Sequence, residues 1–302
     1  MSVVRCVTQA MERIAPLRLA EKWDNVGLLL ESPLVRPEAR KVLLTIDLTP
    51  RVLHEALSHP TPPSLILSYH PPIFNPLPSL TLSNPLQKTL LTCASNGISV
   101  YSPHTALDGV WGGICDWLAG GLFAHPEGWG GTVRGKDGKE FGVGMGRGQG
   151  EEEGWVEVIE DLKEDLGAPG RIVRFNHPVE FGEIIKRVKK HLGLLHVQVA
   201  YPQPHGDLQN ETSSKVQSVA ICAGSGGSML LGVNADVYLT GEMSHHEVIA
   251  AQASNHHIIL CGHTNTERGY LPILAQHLTT GLWGQDIEVV VSKADQHPLE
   301  IV

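Results

Sequence analysis

The chain has 302 residues, 42% of them hydrophobic and 18% charged, which suits one large core or two of ordinary size and marks a globular rather than a disordered protein. A formal charge of −9 counts against a nucleic-acid binder, which needs a basic footprint. No stretch approaches the roughly 20 apolar residues that span a bilayer, so neither membrane insertion nor direct nucleic-acid contact is expected.

Val3, Val7, Ala10, Met11 and Ile14 follow helical spacing, and Pro16 stops the run, so the chain is read as opening on a structural helix. Arg5 and Arg13 in that helix would suit a mitochondrial presequence, but Glu12 and Glu21 break its acid-poor pattern. Cys6, Cys93, Cys115, Cys222 and Cys261 have no CxxC spacing and leave one over, which speaks for a reducing compartment. The cytoplasm is the expected location, with the mitochondrion as the alternative.

Three continuous apolar runs follow. Residues 41–47 form the first, a helical stretch covers 51–58, and residues 64–68 form the second, ending in Tyr69-His70-Pro71-Pro72. The third, 97–101, leads into His104. Residues 120–169 are rich in glycine and acidic side chains and read as a connection. Gly142, Gly144 and Gly146 there give only a weak dinucleotide-loop signal, because no buried strand precedes them and no helix start follows in register. The basic stretch 184–191 carries apolar residues at helical spacing and reads as a surface helix.

The same order of runs then returns. Residues 218–222 are the first, 235–240 the second, ending in Gly241-Glu242-Met243-Ser244-His245-His246, and 257–261 the third, leading into His263. Such runs, alternating with helical stretches, predict buried parallel strands. The fold class is therefore α/β, built from two similar halves of duplicated βαβ type. The halves are placed at 1–119 and 170–302, joined by the 120–169 connection.

The repeat carries the chemistry. His104-Thr-Ala-Leu-Asp108 and His263-Thr-Asn-Thr-Glu267 both read His-Thr-x-x-acid, and residues four apart on a turn face the same way. Imidazole with carboxylate is the ligand mix of Zn, Fe or Mn. Parallel sheets hold ligands at the carboxyl ends of their strands, where His70 also lies, and one metal site shared by the two halves is expected. One of His245 and His246 is expected to face the site, with His245 favoured and Glu242 behind it, and both Glu242 and His245 are candidates for proton transfer. The glycine cluster around Gly224 and Ser225 is either an anion cradle or a tight turn; it lacks the Gly-Lys-Ser/Thr of a nucleoside-triphosphate loop. Asn25, Tyr69, Gly224 and Ser225 are candidates to touch the substrate or to support the metal's ligands, the bland reading of Asn25 being an Asx turn.

Together, Trp23-Asp24-Asn25-Val26-Gly27-Leu28, Ser68-Tyr69-His70-Pro71-Pro72, the His104–Asp108 motif, Ala223-Gly224-Ser225-Gly226-Gly227, the 239–246 segment and Gly262-His263-Thr264-Asn265-Thr266-Glu267-Arg268-Gly269 resemble the NIF-three-like family. Its bacterial members are often labelled GTP cyclohydrolase 1 type 2. The resemblance covers nearly the whole chain. It implies two intertwined α/β halves, a ring-like homo-hexamer, and a pair of divalent metal ions. It carries metal ligation onto His70, Asp108, His263 and Glu267, with Glu267 as a bridge and His104 pointing at the same site. Many members have two adjacent histidines where this chain has Tyr69-His70, which resembles the eukaryotic branch and leaves one or two ions per chain. Two functions follow: metal-dependent hydrolysis of a nucleotide-like or phosphorylated small molecule, or a non-catalytic metal-binding or protein-interaction factor associated with transcription.

Overall fold

The computed structural model describes residues 2–124, 132–142, 153–203 and 211–302. The chain forms two compact units, Met1–Leu107 with Tyr270–Val302, and Asp108–Gly269.

In the first unit, helix α1 (Val3–Ile14) starts at Ser2, whose hydroxyl accepts the Arg5 N–H, and it buries Val3, Cys6, Val7, Ala10 and Met11. Strand β1 (Gly27–Leu30) follows, and then an unbroken βαβαβ series: β2 (Lys41–Thr45), α2 (Pro50–Ser58), β3 (Leu65–Ser68), α3 (Pro85–Ser95) and β4 (Ser99–Ser102). Both helices of the series open on a proline behind a capping side chain, Thr49 for α2 and Asn84 for α3. Helix α4 (Thr105–Gly109) leads out of this unit. After the second unit the chain returns as α9 (Leu271–Gly281) and β13 (Glu288–Val291).

The sheet order is β1-β4-β3-β2-β13, with β4, β3, β2 and β13 parallel and β1 antiparallel at the edge. Val42, Leu43 and Leu44 of β2 and Leu65, Ile66 and Leu67 of β3 are all buried, which explains their unbroken apolar sequence.

The second unit holds α5 (Ile114–Gly120), β5 (Thr132–Arg134), β6 (Glu140–Gly142), β7 (Gly154–Val158), β8 (Arg171–Glu180), α6 (Phe181–Leu192) and β9 (Gln198–Ala200). A second βαβαβ series closes it: β10 (Lys215–Ile221), α7 (Gly227–Leu230), β11 (Val237–Thr240), α8 (His245–Ala253) and β12 (His257–Leu260). Strands β10, β11 and β12 are parallel, and antiparallel β8 and β9 flank them. Helix α6 buries Phe181, Ile184 and Val188, as expected of a surface helix, and Gly193 ends it with φ 66°.

All six expected parallel strands are present, so the α/β class and its internal duplication stand. The boundaries differ from the expected 1–119 and 170–302. Val289, Val290 and Val291 of β13 pair with Val42, Leu43 and Leu44, so the last 33 residues complete the first sheet rather than the second. Nor is 120–169 only a connection, because β5, β6 and β7 lie in it and join β8 in the second sheet. The glycine run after Gly142 lies outside the described residues.

A buried ion pair fixes the start of β8. Arg171 is fully enclosed, and its guanidinium makes a two-pronged contact with Asp116 while donating to the carbonyls of Gly109, Ala168 and Gly170. Every donor has an acceptor, which is the condition for keeping a charge in the interior.

His191, near the end of α6, packs its ring on Trp117 at 4.5 Å and covers Gly121, where a Cβ would meet the ring at 2.3 Å. Burial pushes its pKa down from the ordinary 6.5 to about 4. The folded protein therefore keeps this ring neutral through a range where the unfolded chain takes up a proton. The stability it carries is complete above pH 6.5 and is lost as the pH falls toward 4. Urea melts at pH 7 and pH 4.5 should show the wild type losing about 2 kcal/mol more than His191→Leu across that interval. Equal losses in both proteins would mean the ring is not held neutral by the fold.

Candidate functional site

Each unit places its motif histidines where its parallel strands end, and in each a carboxylate grips one ring nitrogen. In the first unit, β3 runs straight into Tyr69 and His70, whose backbone N–H groups donate to Thr45 and Ile46 of the β2 side. The His70 Nδ1 lies 2.9 Å from Oδ1 of Asp47, at the end of β2. His104 follows β4, with its own N–H bonded to the Tyr69 carbonyl, and its Nδ1 is 2.7 Å from Oδ1 of Asp24. Asp24 is fully enclosed, and its other oxygen accepts from the Thr105 N–H and hydroxyl. Burial alone would raise the Asp24 pKa; the hydrogen bonds from His104 and Thr105, with the charge of His104, outweigh it and hold the carboxyl below its usual range.

His104 has φ 33°, a left-handed backbone that a side-chain-bearing residue adopts at a cost. Its ring is edge-on to four others: His70 at 5.3 Å, Tyr69 at 5.4 Å, Trp23 at 6.1 Å and Phe74 at 6.4 Å. Ring packing and the Asp24 hydrogen bond together fix one orientation. Asn25 donates its side-chain N–H to the carbonyl of Ile73, which ties the Trp23 segment to the loop bearing Phe74. Its backbone N–H bonds the Asp24 carboxylate, so Asn25 acts here as a donor and tether rather than as the acceptor of an Asx turn.

In the second unit, His263 opens a short 3-10 turn, His263–Thr266, after β12. Its Nδ1 is 2.9 Å from Oε1 of Glu242, at the end of β11, and its Nε2 is 3.3 Å from Oε1 of Glu267. The His-x-x-x-acid spacing thus brings these two side chains to one point, as read from the sequence. Glu267 is buried, with 1% of its side chain exposed, whereas Glu242 is 57% exposed. Asp108 stands near buried Cys115 and half-buried Cys222. Burial, then the neighbouring Cys115, Asp108 and Glu267, push the Cys222 thiol well up, and burial with Asp108 takes Cys115 to about 12. With no metal acting on them, both stay protonated at neutral pH.

Gly224 explains its own identity. It has φ 63°, and a Cβ there would lie 2.8 Å from Glu267 Oε1 and 2.9 Å from His263 Nε2. Three amides of this cluster are committed to the protein, which favours the tight turn at Gly224. The N–H groups of Cys222, Gly224 and Gly226 are already bonded to the Leu239 carbonyl, the Thr266 hydroxyl and the Glu242 carbonyl. Ser225 is exposed and forms a bridge to Glu242. His245 sits on the exposed first turn of α8, against the His246 ring at 5.4 Å.

His70 in the first unit, and His263 with Glu267 in the second, supply donor atoms suited to a metal ion. The chemistry of the donor set fits. A carboxylate at Nδ1 makes that nitrogen the donor, and in the neutral ring Nε2 then carries the lone pair a metal needs. Sequence reading found the histidines but not the partnership of Asp24 and Asp47 with them; the signal available was the presence of Asp24 in the Trp-Asp-Asn motif and of Asp47 at a strand end.

The family model for Duf34/NIF3 (NGG1p interacting factor 3) matches residues 2–298. The chain is 40% identical over 294 residues to the protein NIF3 homolog of Schizosaccharomyces pombe, covering 96% of this chain and 95% of that one. It is 35% identical over 308 residues to NGG1-interacting factor 3 of Saccharomyces cerevisiae, covering 98% and 96%. Among solved structures, the Bacillus cereus protein related to NIF3 superposes with a TM-score of 0.72 at 22% identity over 98% of each chain, which shows a common fold.

If the carboxylates set the tautomers, Asp47→Asn and Glu242→Gln should each weaken zinc binding, by about 10- to 100-fold for a typical outer carboxylate. The effect should be smaller for Glu242, whose exposure lets water replace it. Chelator competition returning wild-type affinity for Asp47→Asn would remove that role.

Proposed function

Since the chain belongs to the Duf34/NIF3 family, we propose that it is a divalent-metal-binding protein that hydrolyses a polar, nucleotide-like or phosphorylated small molecule. The observation that carries the metal reading is the pairing of His263 Nε2 with buried Glu267 at 3.3 Å, beside a glycine that no other residue could replace without blocking them. His70, His263 and Glu267 would hold the ion, with Asp108 as a further oxygen donor from the resemblance and zinc, iron or manganese as the suited metals. Bound there, it would supply Lewis acidity and make water a nucleophile at neutral pH.

The chain's own groups cover the remaining tasks. Glu242 and Asp47 orient His263 and His70 through Nδ1 and raise the basicity of the opposite nitrogen. His104, locked by Asp24 and its neighbouring rings, is placed to hold or pass a proton at Nε2. His245, exposed at the start of α8, can exchange protons with solvent. Attack on a guanine ring, as the bacterial family label suggests, is one reaction of this class.

A second reading is an interaction factor without turnover. The Saccharomyces cerevisiae relative is named for interacting with NGG1, and Trp23, 62% exposed beside Phe74 at 49%, leaves aromatic surface open to a partner.

Elemental analysis of purified protein should find a divalent transition metal that His70→Ala, His263→Ala and Glu267→Ala each largely remove. Unchanged metal in all three would sink the ligand assignment. Turnover of a metabolite panel by the metal-loaded wild type, lost in Asp108→Ala, would separate the hydrolase from the interaction factor; no turnover of any member would favour the latter.

A further inference from the structure

The turn that carries His263 and Glu267 is fastened to the end of β11 by the Gly262 N–H on the Gly241 carbonyl at 2.9 Å, and by a set of contacts that meet at the Gly224 peptide. The Gly224 N–H donates to the Thr266 hydroxyl at 2.9 Å, and that hydroxyl donates in turn to the His263 carbonyl at 2.7 Å. On its other side, the Gly224 carbonyl accepts from the Thr240 hydroxyl at 3.1 Å and from the Glu242 N–H at 2.9 Å. Thr266 and Thr240 are fully buried, so water cannot substitute for either hydroxyl. Gly241 has no room for a side chain either, because a Cβ there would lie 2.6 Å from the Gly224 carbonyl oxygen and 2.6 Å from the His263 Cα.

These contacts form a closed circuit. Glu242 grips the His263 ring by its carboxylate, while its backbone is bonded to Gly224. Gly224 is bonded to Thr266, and Thr266 returns to the backbone of His263. The ring and the backbone of one histidine are thus held from two directions by groups that meet at one glycine.

We infer that Thr266 is a positioning residue that sets the His263–Glu267 geometry by coupling their turn to the end of β11 through Gly224. The hydroxyl is used both as acceptor and as donor, a combination that valine cannot supply and serine can. Thr266 offers no atom to an ion; it acts through the placement of the two side chains that do. The inference rests on the metal-binding reading for its consequence, but the hydrogen-bond circuit uses no atom of the ion and can be tested without it.

The test uses the full chain as wild type, Thr266→Val, Thr266→Ser, Thr240→Val and His263→Ala. In metal-free protein, the Gly224 amide should exchange with deuterium at least about tenfold faster in Thr266→Val than in the wild type, and near the wild-type rate in Thr266→Ser. With zinc and a competing chelator, Thr266→Val should lose about tenfold or more in affinity, Thr266→Ser should recover most of it, and Thr240→Val should lose less. Should Thr266→Val not fold, the Thr240→Val and Thr266→Ser measurements carry the test alone. Wild-type exchange in Thr266→Val, or wild-type exchange and zinc affinity in Thr240→Val if Thr266→Val does not fold, would overturn the coupling. Wild-type zinc affinity in Thr266→Val, with zinc lost in His263→Ala, would overturn the positioning role while leaving the metal reading intact. Zinc retained by His263→Ala would instead overturn the metal reading, and the exchange rates would still decide the circuit.

Discussion

A carboxylate hydrogen-bonded to the Nδ1 of an imidazole is the constraint on which the candidate chemistry depends. Among the described residues it is seen at Asp47 on His70, Asp24 on His104 and Glu242 on His263. A carboxylate can only accept, so Nδ1 must donate. At His70 and His104 the neutral ring then has one tautomer, with Nε2 as the chemically useful nitrogen; at His263 carboxylates face both nitrogens, and the shorter contact, 2.9 Å to Glu242 against 3.3 Å to Glu267, favours the proton on Nδ1. The arrangement recurs in both units, which makes it a property of the repeated unit rather than of one local accident.

The duplication explains why these pairs form. Each series supplies three parallel strands, and the residues that leave their carboxyl ends are held by backbone hydrogen bonds that continue the ladder, as for Tyr69 and His70 above Thr45 and Ile46. The end of the first strand or the second brings the carboxylate or the tight turn, and the end of the third brings a histidine. The units diverge in how they hold that last histidine. His104 is locked by surrounding aromatic rings and a left-handed backbone, and His263 by the circuit of hydroxyl and peptide bonds through Gly224. In the first unit the support is mainly packing, and in the second mainly hydrogen bonding.

The parts legible in the sequence were those with short range. The parallel strands are unbroken apolar runs because both faces are buried, and α1 and α6 show their apolar stripes plainly. His263 and Glu267 were readable as a pair because four residues separate them. Asp24 and His104 are 80 residues apart, and nothing periodic announces such a contact. The domain boundary was misplaced for the same reason: Val289, Val290 and Val291 look like any short strand, and only pairing with β2 assigns them to the first sheet. The glycine cluster was ambiguous because a tight turn and an anion cradle need the same small residues; the difference lies in whether the amides are already bonded, which only coordinates reveal.

The most direct test is nitrogen-15 NMR of the imidazole rings in metal-free protein at pH 7.5, followed by titration with zinc. The account predicts that neutral His70, His104 and His263 carry their proton on Nδ1, and that zinc shifts Nε2 of His70 and His263 while leaving their Nδ1 protonated. A proton on Nε2 in the neutral rings, or zinc binding at Nδ1, would contradict the claim that the carboxylates set the chemistry of these histidines.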